Sequence, residues 1–180
     1  MRPDTAATPL HLVVMGVSGT GKTTVATELA DRYGWEFIEG DAMHPPANID
    51  KMSAGIPLDD GDRRPWLEAL GRLLACHHDD ALSTVLTCSA LKRGYRDVLR
   101  SGVPDETVFF VHLAASFEVL RERMESREHF MPPSLLQSQF DTLEPLGEDE
   151  HGVVVDVSQP VAGVVAEAIG ALEALEAGGP

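Results

Sequence analysis

The chain has 180 residues, 43% of them hydrophobic and 24% charged, with a formal net charge of −15. That length suits one domain with a buried core, and no apolar run approaches the ~20 residues of a membrane span. A broad negative field repels nucleic acid and anionic membranes as main partners, so the few cations carry the information. Two cysteines, Cys76 and Cys88, give neither a disulfide framework nor metal-ligand spacing, which points to the reducing cytoplasm.

The segment Met1–Pro9 reads as a polar, disordered tail rather than a signal peptide. The first predicted strand, Leu10–Met15, runs into Gly16-Val17-Ser18-Gly19-Thr20-Gly21-Lys22-Thr23, which matches the phosphate-loop pattern G-x-x-x-x-G-K-[ST]. A predicted helix, Lys22–Arg32, follows. In that order the glycines let backbone N–H groups close around phosphate oxygens, and the helix turns its positive end to the same anion. Gly16, Ser18, Gly19, Thr20, Gly21 and Thr24 are expected to cradle the nucleotide, Lys22 to reach the β- and γ-phosphates, and Thr23 to offer its hydroxyl to Mg²⁺.

A short strand at Glu36–Ile38 leads into a polar, proline-rich insertion, Gly40–Pro65, and then into helices predicted at Asn48–Ser53 and Pro65–His77. Pro65 suits a first helical position, with Asp60 or Asp62 as its cap. Asp41 falls just past the strand, at the carboxyl edge beside the phosphate loop, where a base for an acceptor hydroxyl would stand. Asp156, at the end of an apolar run, is the rival acid, and either residue alternatively caps a helix or turn. His44 reads as a hydroxyl ligand or an exposed loop histidine, and Trp66 as core packing or a ligand wall.

Strand Thr84–Cys88 precedes a basic helix, Lys92–Arg100, and Cys88 reads as a buried strand-end residue without a flanking base. Strand Val108–Leu113 precedes helix Phe117–Arg127, with Met124 and Met131 assigned to packing. A second irregular stretch, Arg121–Glu144, includes a helical piece near Ser134–Phe140 and has the composition of a lid over phosphates. Strand Val153–Val157 and helix Val161–Leu175 close the chain. Alternating strands and helices predict a five-stranded parallel sheet flanked by helices.

A phosphate loop alone permits a switch, a motor, an ATPase or a kinase. The chain contains no Asn-Lys-x-Asp guanine-reading segment and is short for a coupled ATPase, whereas a compact core with two polar insertions suits phosphoryl transfer to a small molecule. Lys22, Lys51 and Lys92 all fall in site-forming segments, as expected for an anionic substrate.

Taken together, GVSGTGKT at Gly16–Thr23, EGDAMHPPANIDKM at Glu39–Met52, GIPLDDGDRRPWL at Gly55–Leu67, CSALKRGYRDVLR at Cys88–Arg100, HFMPPSLLQSQFDTLE at His129–Glu144 and VDVSQPV at Val155–Val161 resemble the small phosphate-loop gluconokinase family. The resemblance runs in order from about Leu10 to Leu175. It implies a nucleoside-monophosphate-kinase-like fold and ATP- and Mg²⁺-dependent phosphorylation of D-gluconate to 6-phospho-D-gluconate. By resemblance, Asp41 activates the 6-hydroxyl, while His44, Arg63, Lys92 and Arg96 surround the carboxylate and hydroxyls. Arg123 and Arg127 act on the nucleotide and the transferring phosphoryl group, and Asp156–Pro160, with Gln159 and Pro160, lies near adenine. The enzymatic alternative is a small-acid kinase of the shikimate kinase kind, and the non-enzymatic one is a nucleotide-binding regulatory module. A homodimer stays open.

Overall fold

The computed structural model describes residues 8–126 and 132–178. Five strands, β1 (His11–Met15), β2 (Glu36–Glu39), β3 (Thr84–Thr87), β4 (Val108–Ala114) and β5 (Gly152–Asp156), form one sheet in the order β2-β3-β1-β4-β5. Every pairing is parallel. Parallel neighbours require crossovers, and among the described residues seven α-helices supply them or extend them: α1 (Lys22–Tyr33), α2 (Pro46–Ser53), α3 (Asp60–Asp79), α4 (Arg93–Arg100), α5 (Phe117–Glu125), α6 (Pro133–Thr142) and α7 (Val161–Ala177).

The side-chain alternation of β1 builds a core on each face of the sheet. Leu12 and Val14 face α1 and α7, packing with Leu29, Val164 and Leu172. Val13 and Met15 face the other way, toward Trp66, Leu70 and Leu74 of α3 and Leu99 of α4. Burial on both sides is why β1 reads as a continuous apolar run. Among the described residues no helix is long and apolar enough to cross a membrane.

One sequence expectation is corrected at α3. The helix begins at Asp60, not Pro65, because Asp59 and Asp62 form a reciprocal capping box: the Asp59 carboxylate accepts from the Asp62 N–H at 2.8 Å, and Asp62 accepts from the Asp59 N–H at 3.0 Å. Pro65 therefore lies inside the helix, where its missing N–H removes only one rung of the ladder. The early start carries Asp60, Asp62 and Arg63 on a rigid element.

Candidate active site

Two glycines shape the carboxyl edge of the sheet. Gly16 has φ +139°, and a Cβ there would stand 2.5 Å from the Leu113 carbonyl of β4. Gly40, at the end of β2, is so close to β3 that a Cβ would lie 1.9 Å from the Thr87 carbonyl. No side chain fits either place. The Gly40 N–H donates to the Thr87 hydroxyl at 3.0 Å, and the Gly40 carbonyl accepts from the Trp66 indole at 2.8 Å. These bonds fix the 3₁₀ turn Gly40–Met43, from which the Asp41 carboxylate projects outward, 64% exposed.

The phosphate loop is pre-shaped. The Thr20 hydroxyl donates to the Val17 carbonyl at 3.0 Å, and Lys22 folds its ammonium onto the Gly16 and Val17 carbonyls at 3.2 Å each. Burial lowers the Lys22 pKa from its ordinary value, opposed by the negative charge of Asp41 and Glu39. The Thr23 hydroxyl donates to the Glu39 carboxylate at 2.6 Å, and the Thr87 hydroxyl donates to its other oxygen. The Ser18 N–H, one of the donors an anion would use, donates at 2.7 Å to the Gln139 side-chain oxygen of α6.

Between loop and insertion lies a cleft of about 140 Å³, lined by Ser18 and Lys22 on one side and by Asp41, His44, Arg63 and Gln139 on the others. His44 is buried rather than exposed, and its ring stacks on Trp66 with centroids 3.9 Å apart and an interplanar angle of 20°. Trp66, 2% exposed, is thus core and at the same time a platform for a site residue. The Arg63 guanidinium lies 5.5 Å over the Tyr95 ring and donates to the Tyr95 hydroxyl at 3.2 Å. Cys88, behind the cleft, is fully buried, and burial pushes its thiol up to about 12, which rules out a thiolate nucleophile.

A second cavity, of about 290 Å³, opens on the other side of the phosphate loop and is lined by Gly19, Thr20, Gly21, Thr24, Arg123, Gln159 and Pro160. Arg123 donates to the Val157 carbonyl at 2.5 Å, tying α5 to the turn after β5. Asp156 accepts from the Ser158 N–H at 2.8 Å and caps that turn, so the rival acid has a structural duty. Arg127 lies outside the described residues, as does Met131.

Two expected substrate ligands are placed differently. Arg96 is corrected outright: its guanidinium is fully buried and spends all five N–H donors on Glu150 at 2.8 and 2.9 Å and on the carbonyls of Ala90, Glu144 and Pro145 at 3.0 to 3.2 Å. A guanidinium so committed cannot also bind a substrate carboxylate. Lys92 pairs with Asp60 at 3.0 Å in a groove that adjoins the cleft and shares Arg63 with it. In the sequence Asn48 and Gln139 stand out only as polar members of the two insertions, and Glu39 only as an acid next in line to Asp41; the contacts that give them a role are not legible there.

A parallel sheet whose first strand runs straight into a phosphate loop, with a polar acceptor cleft on the same edge, places the chain among the phosphate-loop kinases. A family model described as an AAA domain matches residues 12–146. The gluconokinase of Gluconobacter oxydans is 57% identical over 143 residues, 79% of each chain. The crystal structure of a gluconokinase from Sinorhizobium meliloti superposes with a TM-score of 0.86 at 52% identity, covering 93% of this chain and 94% of that one. An unliganded sugar kinase from a Janibacter species gives 0.87 at 53%, with 92% and 95% covered. The chain belongs to the gluconokinase family.

Proposed function

We propose that the chain transfers the γ-phosphoryl group of ATP to the 6-hydroxyl of D-gluconate, yielding 6-phospho-D-gluconate. The observation that carries this is the cleft itself, where a carboxylate, a buried cation and an imidazole converge beside the phosphate-loop lysine. A polyol acid needs this mixture: a cation for its carboxylate and hydrogen-bonding side chains for its hydroxyls. Family membership supplies the particular substrate.

In this reading Asp41 accepts or aligns the proton of the attacking hydroxyl, and the Lys22 ammonium swings from the loop carbonyls to the transferring phosphoryl group. Arg63 holds the substrate carboxylate or an adjacent hydroxyl, with Lys92 flanking it. Arg123, Gln159 and Pro160 hold the nucleotide, and Arg127 meets the phosphoryl group from the lid, residues 121–144. The paired Thr23 hydroxyl and Glu39 carboxylate are hard oxygen donors that suit Mg²⁺, which typically takes one or two protein oxygens plus substrate phosphates. Held by Thr23 and Glu39, such an ion would supply positive charge beside the phosphate oxygens. Low exposure of His44, Arg63 and Trp66 keeps water off that wall of the cleft, while the Asp41 carboxylate faces the opening.

The test is ADP release from Mg-ATP with gluconate or shikimate added, followed by locating the phosphate on the product. Gluconate-dependent turnover with a 6-phosphorylated product is expected. Equal turnover with shikimate, or none with gluconate while ATP binds, overturns the reading.

A further inference from the structure

His44 and Asp41 form the acceptor wall of the cleft, and which ring nitrogen of His44 carries the proton decides what that wall can recognise. The structure determines it through Asn48, a residue 3% exposed on α2. The Asn48 amide nitrogen donates to the Asp62 backbone carbonyl at 2.9 Å and lies 3.2 Å from His44 Nδ1. A peptide carbonyl only accepts, so the nitrogen end of the carboxamide must face Asp62, and its second hydrogen then points at His44. Nδ1 is consequently an acceptor and the ring proton sits on Nε2. A doubly protonated ring would set donor against donor.

We infer that Asn48 is a positioning residue that holds His44 as a neutral Nε2–H donor, so that Asp41 and His44 together read one substrate hydroxyl from both sides. His44 Nε2 lies 3.9 Å from the nearer Asp41 oxygen, too far for a direct hydrogen bond. A hydroxyl oxygen about 2.8 Å from each satisfies both, accepting from Nε2–H and donating to the carboxylate. The Trp66 stack and the Trp66–Gly40 bond keep ring and carboxylate in register. With Nδ1–H instead, Nε2 and Asp41 would both be acceptors facing one hydroxyl, which can donate only once. The inference rests on the gluconate reading for the identity of the hydroxyl, but not for the tautomer.

The experiment combines ¹⁵N-histidine NMR of the ligand-free protein with steady-state kinetics. The His44 resonance, assigned by its loss in His44→Gln, is expected to show the Nε2–H tautomer; an Nδ1–H pattern overturns the inference whether or not gluconate is the substrate. Asn48→Ala is expected to mix the tautomers and raise the gluconate KM about three- to tenfold, with the ATP KM within about twofold, the scale of one lost hydrogen bond. In His44→Gln the side-chain amide keeps a donor near the Nε2 position without help from residue 48, so adding Asn48→Ala there should change little. An equal penalty in both backgrounds would mark Asn48 as merely structural. An Nδ1–H pattern in the unmodified protein overturns the inference even where Asn48→Ala fails to fold.

Discussion

Two arginines, Arg63 and Arg96, are buried on the same side of the sheet, on α3 and α4, and their donors are committed very differently. Arg96 is closed off by Glu150 and three carbonyls, a clamp that ties α4 to the segment from Glu144 to Glu150. Arg63 is 8% exposed; its side chain makes one hydrogen bond among the described residues, to Tyr95, and lines the cleft. Burial alone therefore does not mark a ligand-binding cation. What distinguishes the two is the number of donors already spent.

The largest effect should come from opening the clamp. Arg96→Met leaves Glu150 buried without its partner, a change that typically costs about 3–5 kcal/mol. Denaturant unfolding should show that loss, while the fraction still folded keeps its gluconate KM. A raised KM with unchanged stability would return Arg96 to the substrate.

The clamp also predicts an acid sensitivity. His112 is held neutral, its pKa lowered to about 4 by burial and by the Arg96 charge. Between its ordinary 6.5 and about 4 the unfolded chain takes up a proton that the folded chain refuses, so roughly 3 kcal/mol of stability present at neutral pH fades across that window. Burial would raise the Glu150 pKa, yet hydrogen bonds from Arg96 and the Gly147 N–H, with the Arg100 charge, hold it below its ordinary value. Its contribution is present above the ordinary carboxylate range and is lost as pH falls through the depressed value. Melting temperatures across pH 3–7 should therefore drop first through the histidine window, to which His11, lowered to about 4 by burial, and the buried His44 also contribute, and then through the carboxylate window, with the lower step reduced in Glu150→Gln. Arg63→Met, which removes no histidine and no carboxylate, should keep both steps.

Arg63→Met sharpens the comparison from the other side. Losing a charged hydrogen-bond donor to the substrate should raise the gluconate KM about 10- to 100-fold, with nucleotide affinity and melting temperature near wild type. A loss of stability without a KM effect would make Arg63 a second clamp. Smaller still, Lys92→Ala should raise the gluconate KM only about threefold, because Asp60 already holds the ammonium in an exposed pair.

The sequence carried the sheet, the phosphate loop and the cleft residues Asp41, His44 and Arg63, since all rest on local pattern or on short segments. It failed where the deciding contact is remote. Glu150 is 54 residues from Arg96, and Gln139 is 121 from Ser18, so neither pairing leaves a trace in periodicity. Pro65 misled for a different reason: proline favours a first helical turn, but the Asp59–Asp62 box upstream starts the helix earlier and outweighs one missing bond. Strand β5 ends one residue before the expected Val157, whose N–H still reaches the Ala114 carbonyl at 2.9 Å.

The central claim is that the Asp41 carboxylate serves the acceptor hydroxyl rather than the fold. Single-turnover phosphorylation of gluconate by Asp41→Asn, run beside nucleotide binding and thermal melting, tests it most directly. A loss of about 10²-fold or more in the transfer rate is expected, with ATP affinity and melting temperature like wild type. Transfer within a few-fold of wild type by a variant that binds ATP and melts normally would contradict it.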